Sequence, residues 1–200
     1  MDEVKSLPGR ILSSLTILVF ALFAGAGLAV ADDYRPSPGI PDRYGILYDT
    51  PIYDPVSKSY FALAWAHKTV YRGTDWLTAN AEAKSREYKG IHGRLAVVDS
   101  LEIHEFLERT FHPNVDVWIG LRYWCQKKTL EWSNGRTAKR SFQAWDVNWQ
   151  QDIYACKSGD KNTDFMPVAY TPTDKGFRWI GKGRHKEYFA YFVEFPTAHP

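Results

Sequence analysis

Between Trp145 and Asp164 the sequence sets aromatic rings among side chains rich in oxygen and amide groups. Asp146, Asn148, Trp149, Gln150, Asp152, Asp160, Asn162 and Asp164 are the candidate ligand-binding residues of this stretch, with Trp145 and Tyr154 beside them. A sugar ring can lie on an indole face while nearby amides and carboxylates bind its hydroxyls, a pairing of apolar wall and a few placed polar groups. Trp145 is expected to anchor the stretch in the core. Trp149, between Asn148 and Gln150, is open to either role, because Trp is intermediate in burial.

Other patterns in the chain carry less chemistry. Asp160-x-Asn162-x-Asp164 places oxygens at alternate positions, as an EF-hand loop does at its start, but Phe165 stands where that loop needs Gly and Thr171 where it needs Glu. A turn held by Asx hydrogen bonds is the expected reading. No metal or cofactor is expected, with calcium kept as the alternative. Lys182, Arg184, His185 and Lys186 cluster in one turn, where they could meet an acidic glycan or phosphate or simply solvate a hairpin tip. His104-Glu105 begins a metalloprotease-like pattern, but Glu108 replaces its second His. No nucleophile elbow or phosphate-binding glycine loop is present. Glu194 and the loop aspartates could form an acid/base pair, yet no spacing selects two of them. The chain is therefore expected not to be an enzyme, and an exported hydrolase ranks last among its readings.

Cys125 and Cys156 are the chain's two cysteines, and the N-terminus decides how they read. An uncharged apolar run from Ile11 to Leu28 follows Arg10 and ends in Ala29-Val30-Ala31. This has the form of a secretory signal peptide over residues 1–31, cut after Ala31, with an uncleaved anchor as the alternative. Either places the rest of the chain outside the cytoplasm, secreted, periplasmic or membrane-anchored. In an oxidising compartment a lone cysteine pair is expected to form a disulfide. Its loop of about 30 residues would contribute about 3 kcal/mol in the chain-entropy model.

The elements that must position the loop follow from periodicity. The 200 residues suit one domain, and 8 Trp, 12 Tyr and 11 Phe give it large rings to pack. A formal charge of +2 argues against nucleic acid or an anionic membrane as partner. Residues 32–51, with Pro36, Pro38, Gly39 and Pro41, read as a lead-in, and 197–200 as a tail. Alternation around Phe61, Leu63 and Trp65 predicts a strand buried on both faces. Thr74 is the expected cap of a helix from Asp75, with Trp76, Ala79 and Ala83 on its inner face and Glu82 and Arg86 as a surface pair. Asp99 is the expected cap of a second helix, with Glu102 completing a capping box and Ile103, Phe106, Leu107 and Phe111 as the buried stripe. Strands are then expected at 115–121, 129–132, 165–170, 177–180 and 188–195, with a tight turn at Asn134-Gly135. The stretch from Arg136 to Asp164 shows no periodicity, and long loops of this kind tend to be functional. The layout is α+β, with the helices segregated from an antiparallel sheet.

Five segments, in order, resemble the C-type lectin-like domain family. They are Trp76-x-x-Ala79-x-x-x-Ala83, Leu95-Ala96-Val97-Val98 with Glu102 and Phe106-Leu107, Trp118-Ile119-Gly120-Leu121, Trp132-Ser133-Asn134-Gly135 with Phe142 and Trp145, and Phe192-Val193-Glu194-Phe195. The resemblance covers roughly residues 52–196. It implies two helices packed on a twisted antiparallel sheet with a long loop, and Trp118, Ile119, Gly120 and Leu121 as structural core. The sequence departs from family members that bind sugar through calcium. It has no Glu-Pro-Asn, and Trp179-Ile180-Gly181 stands where they carry Trp-Asn-Asp, so both oxygen ligands are gone. The family's usual disulfides are also absent, and a Cys125–Cys156 bridge would instead tie the core strand's end to the long loop. The expected function is recognition of a glycan or glycoconjugate through that loop, without the usual calcium site. A protein-interaction module on the same fold is the alternative.

Overall fold

The computed structural model describes residues 46–48, 50–66, 73–138, 142–149, 156 and 165–197. The N-terminal apolar run lies outside them. So do Gln150, Asp152, Tyr154, Asp160, Asn162 and Asp164.

The frame is a sheet of nine strands. Its spine runs β1 (Ile46–Tyr48), β3 (Ser59–Ala66), β11 (Ala190–Pro196), β7 (Val117–Trp124), β9 (Phe165–Thr173) and β10 (Gly176–Gly181). Short β2 (Ile52–Asp54) pairs with β3, β6 (Arg94–Leu95) with β11, and β8 (Thr129–Trp132) with β7. A separate two-residue ribbon joins β4 (Glu87–Tyr88) and β5 (Ile91–His92). All pairings are antiparallel except β11 with β7, which is parallel. The pairing of β1 with β3 starts the sheet at Ile46, inside the stretch expected to be lead-in. The alternation of β3 is as expected: Phe61, Ala62, Leu63 and Ala64 are wholly buried, since Trp76, Ala79 and Ala83 cover the Ala62 and Ala64 face while Ile103, Phe106 and Leu107, with the loop side, cover the Phe61 and Leu63 face.

Among the described residues two helices of equal length pack on the sheet, one on each face. Helix α1 (Trp76–Ser85) buries Trp76, Ala79 and Ala83, as its spacing predicts. Its N-cap is Asp75, whose carboxylate accepts from Thr78 N at 2.8 Å, and not Thr74. Thr74 is held one residue earlier by a bridge to Tyr188, with backbone bonds of 2.8 and 3.1 Å. Helix α2 (Leu101–Thr110) is capped by Ser100, whose hydroxyl accepts from Ile103 N, so the expected cap at Asp99 is off by one. Asp99 instead faces Arg136 at 3.9 Å. The expected surface position of Arg86 is corrected by its burial. Arg86 is buried and donates to the Tyr191 hydroxyl at 3.0 and 3.2 Å, and that hydroxyl donates to Glu82 at 3.0 Å.

The Trp-Ile-Gly-Leu segment is the central lock. Trp118, Ile119 and Leu121 are all at 0% exposure. The indole of Trp118 donates to Thr74 O at 2.7 Å, and that of Trp76 donates to Ile119 O at 2.8 Å, so strand and helix are cross-bolted in both directions. A Cβ on Gly120 would meet Ser133 Oγ at 2.6 Å and Leu95 O at 2.7 Å. The glycine lets the segment at Ala96 approach closely enough for Gly120 N to donate to Ala96 O at 2.8 Å.

Candidate ligand-binding site

The described residues of the aperiodic segment after β8 include a stretch that packs on the sheet. Residues 144–149 run along β10: Trp179 N donates to Ala144 O at 2.7 Å, Asp146 N to Trp179 O at 3.1 Å, and Gly181 N to Trp149 O at 3.3 Å. Asp146 then turns the chain. Its carboxylate accepts from Asn148 N at 2.7 Å and its carbonyl from Trp149 N at 3.2 Å, an Asx turn that commits part of this carboxylate to backbone.

This path arranges the rings in a series from core to surface. Buried Trp132 meets buried Trp179 edge-on at 5.7 Å; Phe142 and Trp145 meet Trp179 at 5.6 and 5.4 Å; and Trp149 meets Trp145 at 5.4 Å. Edge-to-face contacts at this spacing are favourable through the ring quadrupoles. Trp145 and Trp149 are half-buried, so Trp145 serves both as the expected core anchor and as a wall.

The facing wall comes from the sheet. Register pairs Tyr123 with Leu130 on one side and with Met166 on the other, so strand alternation sets these three side chains on one face. Between them and the two indoles lies a cleft of about 580 Å³, also lined by Gln143 and Cys156. The expected Cys125–Cys156 disulfide is present, with Cα atoms 5.4 Å apart, and ties the end of β7 to the exposed Cys156 at the cleft. Of the sequence-predicted residues, Trp149 lines the cleft, while Asp146 and Asn148 sit on the turn beside it. Tyr123, Leu130, Gln143 and Met166 were not singled out by sequence. The alternation that extends the strand past Leu121 was the available signal for Tyr123.

The cleft's described lining holds a phenol, an amide and two indoles as its polar groups, and no carboxylate, imidazole or amine. Buried ionisable groups outside the cleft are engaged by their neighbours. His104 Nδ1 is 2.7 Å from the Tyr170 hydroxyl, and its Nε2 is 3.5 Å from Glu108. Burial pushes the His104 imidazole below its ordinary pKa, against the pull of Glu108 and with Arg178 adding to the depression. Burial likewise drives the Tyr170 phenol upward. Glu194 is equally committed: it accepts Arg94 at 2.8 and 3.0 Å, Ser59 Oγ at 3.0 Å and Val97 N at 3.0 Å.

At the β10 end, Ile180 is buried, and the space beside Gly181 is filled by Met166, whose Cε would lie 2.6 Å from an added Cβ. An indole, an isoleucine and a glycine supply no side-chain oxygen, so these residues do not fit a calcium ion. Among the described residues no three His, Cys, Asp or Glu side chains converge on a cation position.

The described elements define an α+β domain, with helices on a mostly antiparallel sheet. Residues 78–166 match the family model of the lectin C-type domain. The C-type carbohydrate-recognition domain of cow CD23, solved in the presence of a GlcNAc2Man3 oligosaccharide, is similar over 74% of this chain and 95% of its own, at 16% identity and a TM-score of 0.51. The C-type lectin domain of murine dendritic cell inhibitory receptor 2, in complex with N-glycan, is similar over 72% of this chain and 96% of its own, at 16% identity and a TM-score of 0.49. No curated protein matches the sequence. The chain has a C-type-lectin-like fold, with a lectin C-type domain match over residues 78–166.

Proposed function

We propose that this protein is an exported, non-catalytic recognition module that binds a carbohydrate or glycoconjugate in the cleft between Trp145–Trp149 and Tyr123–Leu130–Met166, without calcium. The observation that carries this reading is the pair of half-buried indoles forming one wall of a cleft whose edge offers the Gln143 amide. Apolar walls with a few orienting polar groups suit a sugar ring, whose faces are apolar and whose rim is hydroxylated. The missing oxygens at Ile180 and Gly181 support calcium independence. A disulfide joining β7 to the loop fits an oxidising compartment.

A glycan array probed with and without a chelator tests this. Binding is expected to survive the chelator and to be lost in Trp149→Ala. Binding abolished by the chelator would overturn the calcium-independent reading. Uniform silence across glycans, with a protein partner recovered instead, would favour the protein-interaction alternative. Val147, 89% exposed on the turn beside Trp149, is the observation that favours that second reading. Mass spectrometry of the exported protein would show cleavage after Ala31.

A further inference from the structure

The ribbon formed by β8, β7 and β9 has a second face, opposite the cleft. Register places Arg122, Trp124 and Phe165 there, together with Glu131. Three segments bring cations to these rings. Arg122, on β7, stands 4.3 Å from the Trp124 ring centroid, and Lys127, from the β7–β8 turn, stands 5.3 Å from it. Arg184, from the connection between β10 and β11, stands 5.6 Å from the Phe165 centroid, and the Trp124 and Phe165 rings are 5.7 Å apart. Cations held over ring faces are attracted by the quadrupole and lose part of their water.

The charges on this face do not cancel. Glu131 is committed to Arg122 at 2.6 Å, and that guanidinium holds its carboxyl below the usual range. Lys182, in the same turn as Arg184, is matched by Asp116 at 3.3 Å. Glu131 also feels the Lys127 ammonium, so Arg122, Lys127 and Arg184 share this one carboxylate among the described residues and leave an excess of two positive charges. The fold has thus split the basic cluster seen in the sequence: it neutralises Lys182 and delivers Arg184 to the Phe165 ring, beside a half-buried Trp124 that already carries two cations.

We propose that this face is a second binding site, for an acidic saccharide whose sulfate or carboxylate groups meet Lys127 and Arg184 while its sugar ring packs against Trp124. A net excess of two positive charges is small for an anionic membrane, whose recognition uses clusters of roughly four to eight, and small for nucleic acid, where affinity grows with the number of neutralised phosphates. It suits one or two anionic groups on a ligand that also offers an apolar sugar face. The site rests on the reading of the domain as a saccharide binder, but shares no residue with the cleft.

Calorimetry with a heparin-derived hexasaccharide, and with the same hexasaccharide desulfated, tests the site on the whole exported domain. The sulfated probe is expected to bind, more weakly as salt rises, and the desulfated one at least about tenfold more weakly, a difference of about 1.4 kcal/mol. Lys127→Ala with Arg184→Ala should cost the sulfated probe at least about tenfold, while Arg184→Lys, which keeps charge and fold, should retain most of the affinity. Lys84→Ala with Lys175→Ala removes the same charge from exposed positions on other elements and should leave binding unchanged. Equal affinity for the desulfated probe, or an equal loss in that control pair, would overturn the proposal. So would binding to phosphatidylserine vesicles through Lys127 and Arg184 in the absence of hexasaccharide binding. Trp149→Ala separates the two sites: it should abolish binding of neutral glycan in the cleft and leave the sulfated probe untouched.

Discussion

Trp76 and Trp118 on the α1 side and Trp145 and Trp149 on the loop side are the same residue put to opposite uses. The first pair is wholly buried, and each indole N–H reaches a backbone carbonyl in the other's segment, Ile119 O and Thr74 O. The second pair is half-buried and held mainly through ring contacts, Trp145 against Trp179 and Trp149 against Trp145. A ring with its donor satisfied and no surface left is a bolt, whose loss leaves a cavity and an unpaired carbonyl. A ring packed on one side only keeps a face for something else, and removing it costs the protein little.

That contrast can be broken most directly at Trp118. Trp118→Ala should cost about 3–5 kcal/mol, a large part of a typical domain's total stability, and urea denaturation would measure it. A loss below about 1 kcal/mol, the range of ordinary surface changes, would erase the distinction. Next in size is the tie between the two regions. Replacing Cys125 and Cys156 by Ser should cost about 3 kcal/mol in the chain-entropy model, and should weaken cleft binding more than it disturbs the α1 side. Hydrogen exchange would locate the loosening, and uniform loosening of both sides would count against the contrast.

A smaller effect should appear with pH. His104 lies beneath the loop side, its ring 5.4 Å from Phe142. Its folded pKa is depressed, chiefly by burial, so between the folded value and the ordinary value near 6.5 the unfolded chain binds more protons than the folded one. Stability is therefore full above about pH 6.5 and falls as pH drops toward the folded pKa. Denaturation midpoints at a series of pH values should show this slope, and His104→Gln should flatten it. An unchanged slope in the variant would assign the pH dependence to other groups. The smallest effect on stability belongs to Trp149→Ala, about 1 kcal/mol or less, although it should remove cleft binding. A loss as large as that of Trp118→Ala would make Trp149 a bolt as well.

Much of the frame could be read from single segments. The buried faces of α1 and α2, the strand at 129–132, the Trp-Ile-Gly-Leu core and the disulfide all stand as expected. The misreadings are local competitions settled by distant partners. Thr74 and Asp75 can both cap a helix, and the bridge to Tyr188 takes Thr74. Asp99 and Ser100 can both cap the next, and Arg136 draws Asp99 away. Arg86 looked like a surface residue because its partner, the Tyr191 hydroxyl, lies 105 positions along the chain.

By itself the sequence determined which residues turn inward on each helix and strand, because periods of 3.6 and 2 are written locally. It also determined that no aspartate or asparagine follows Trp179, and that two cysteines stand 31 positions apart. Only the tertiary structure decided what those elements enclose. The cleft joins Tyr123, Leu130, Gln143, Trp145, Trp149, Cys156 and Met166, and the opposite face joins Arg122, Lys127 and Arg184. Both sets depend on the register of β7 with β8 and β9. A slip of one residue there would exchange the two faces, and no single segment carries that register.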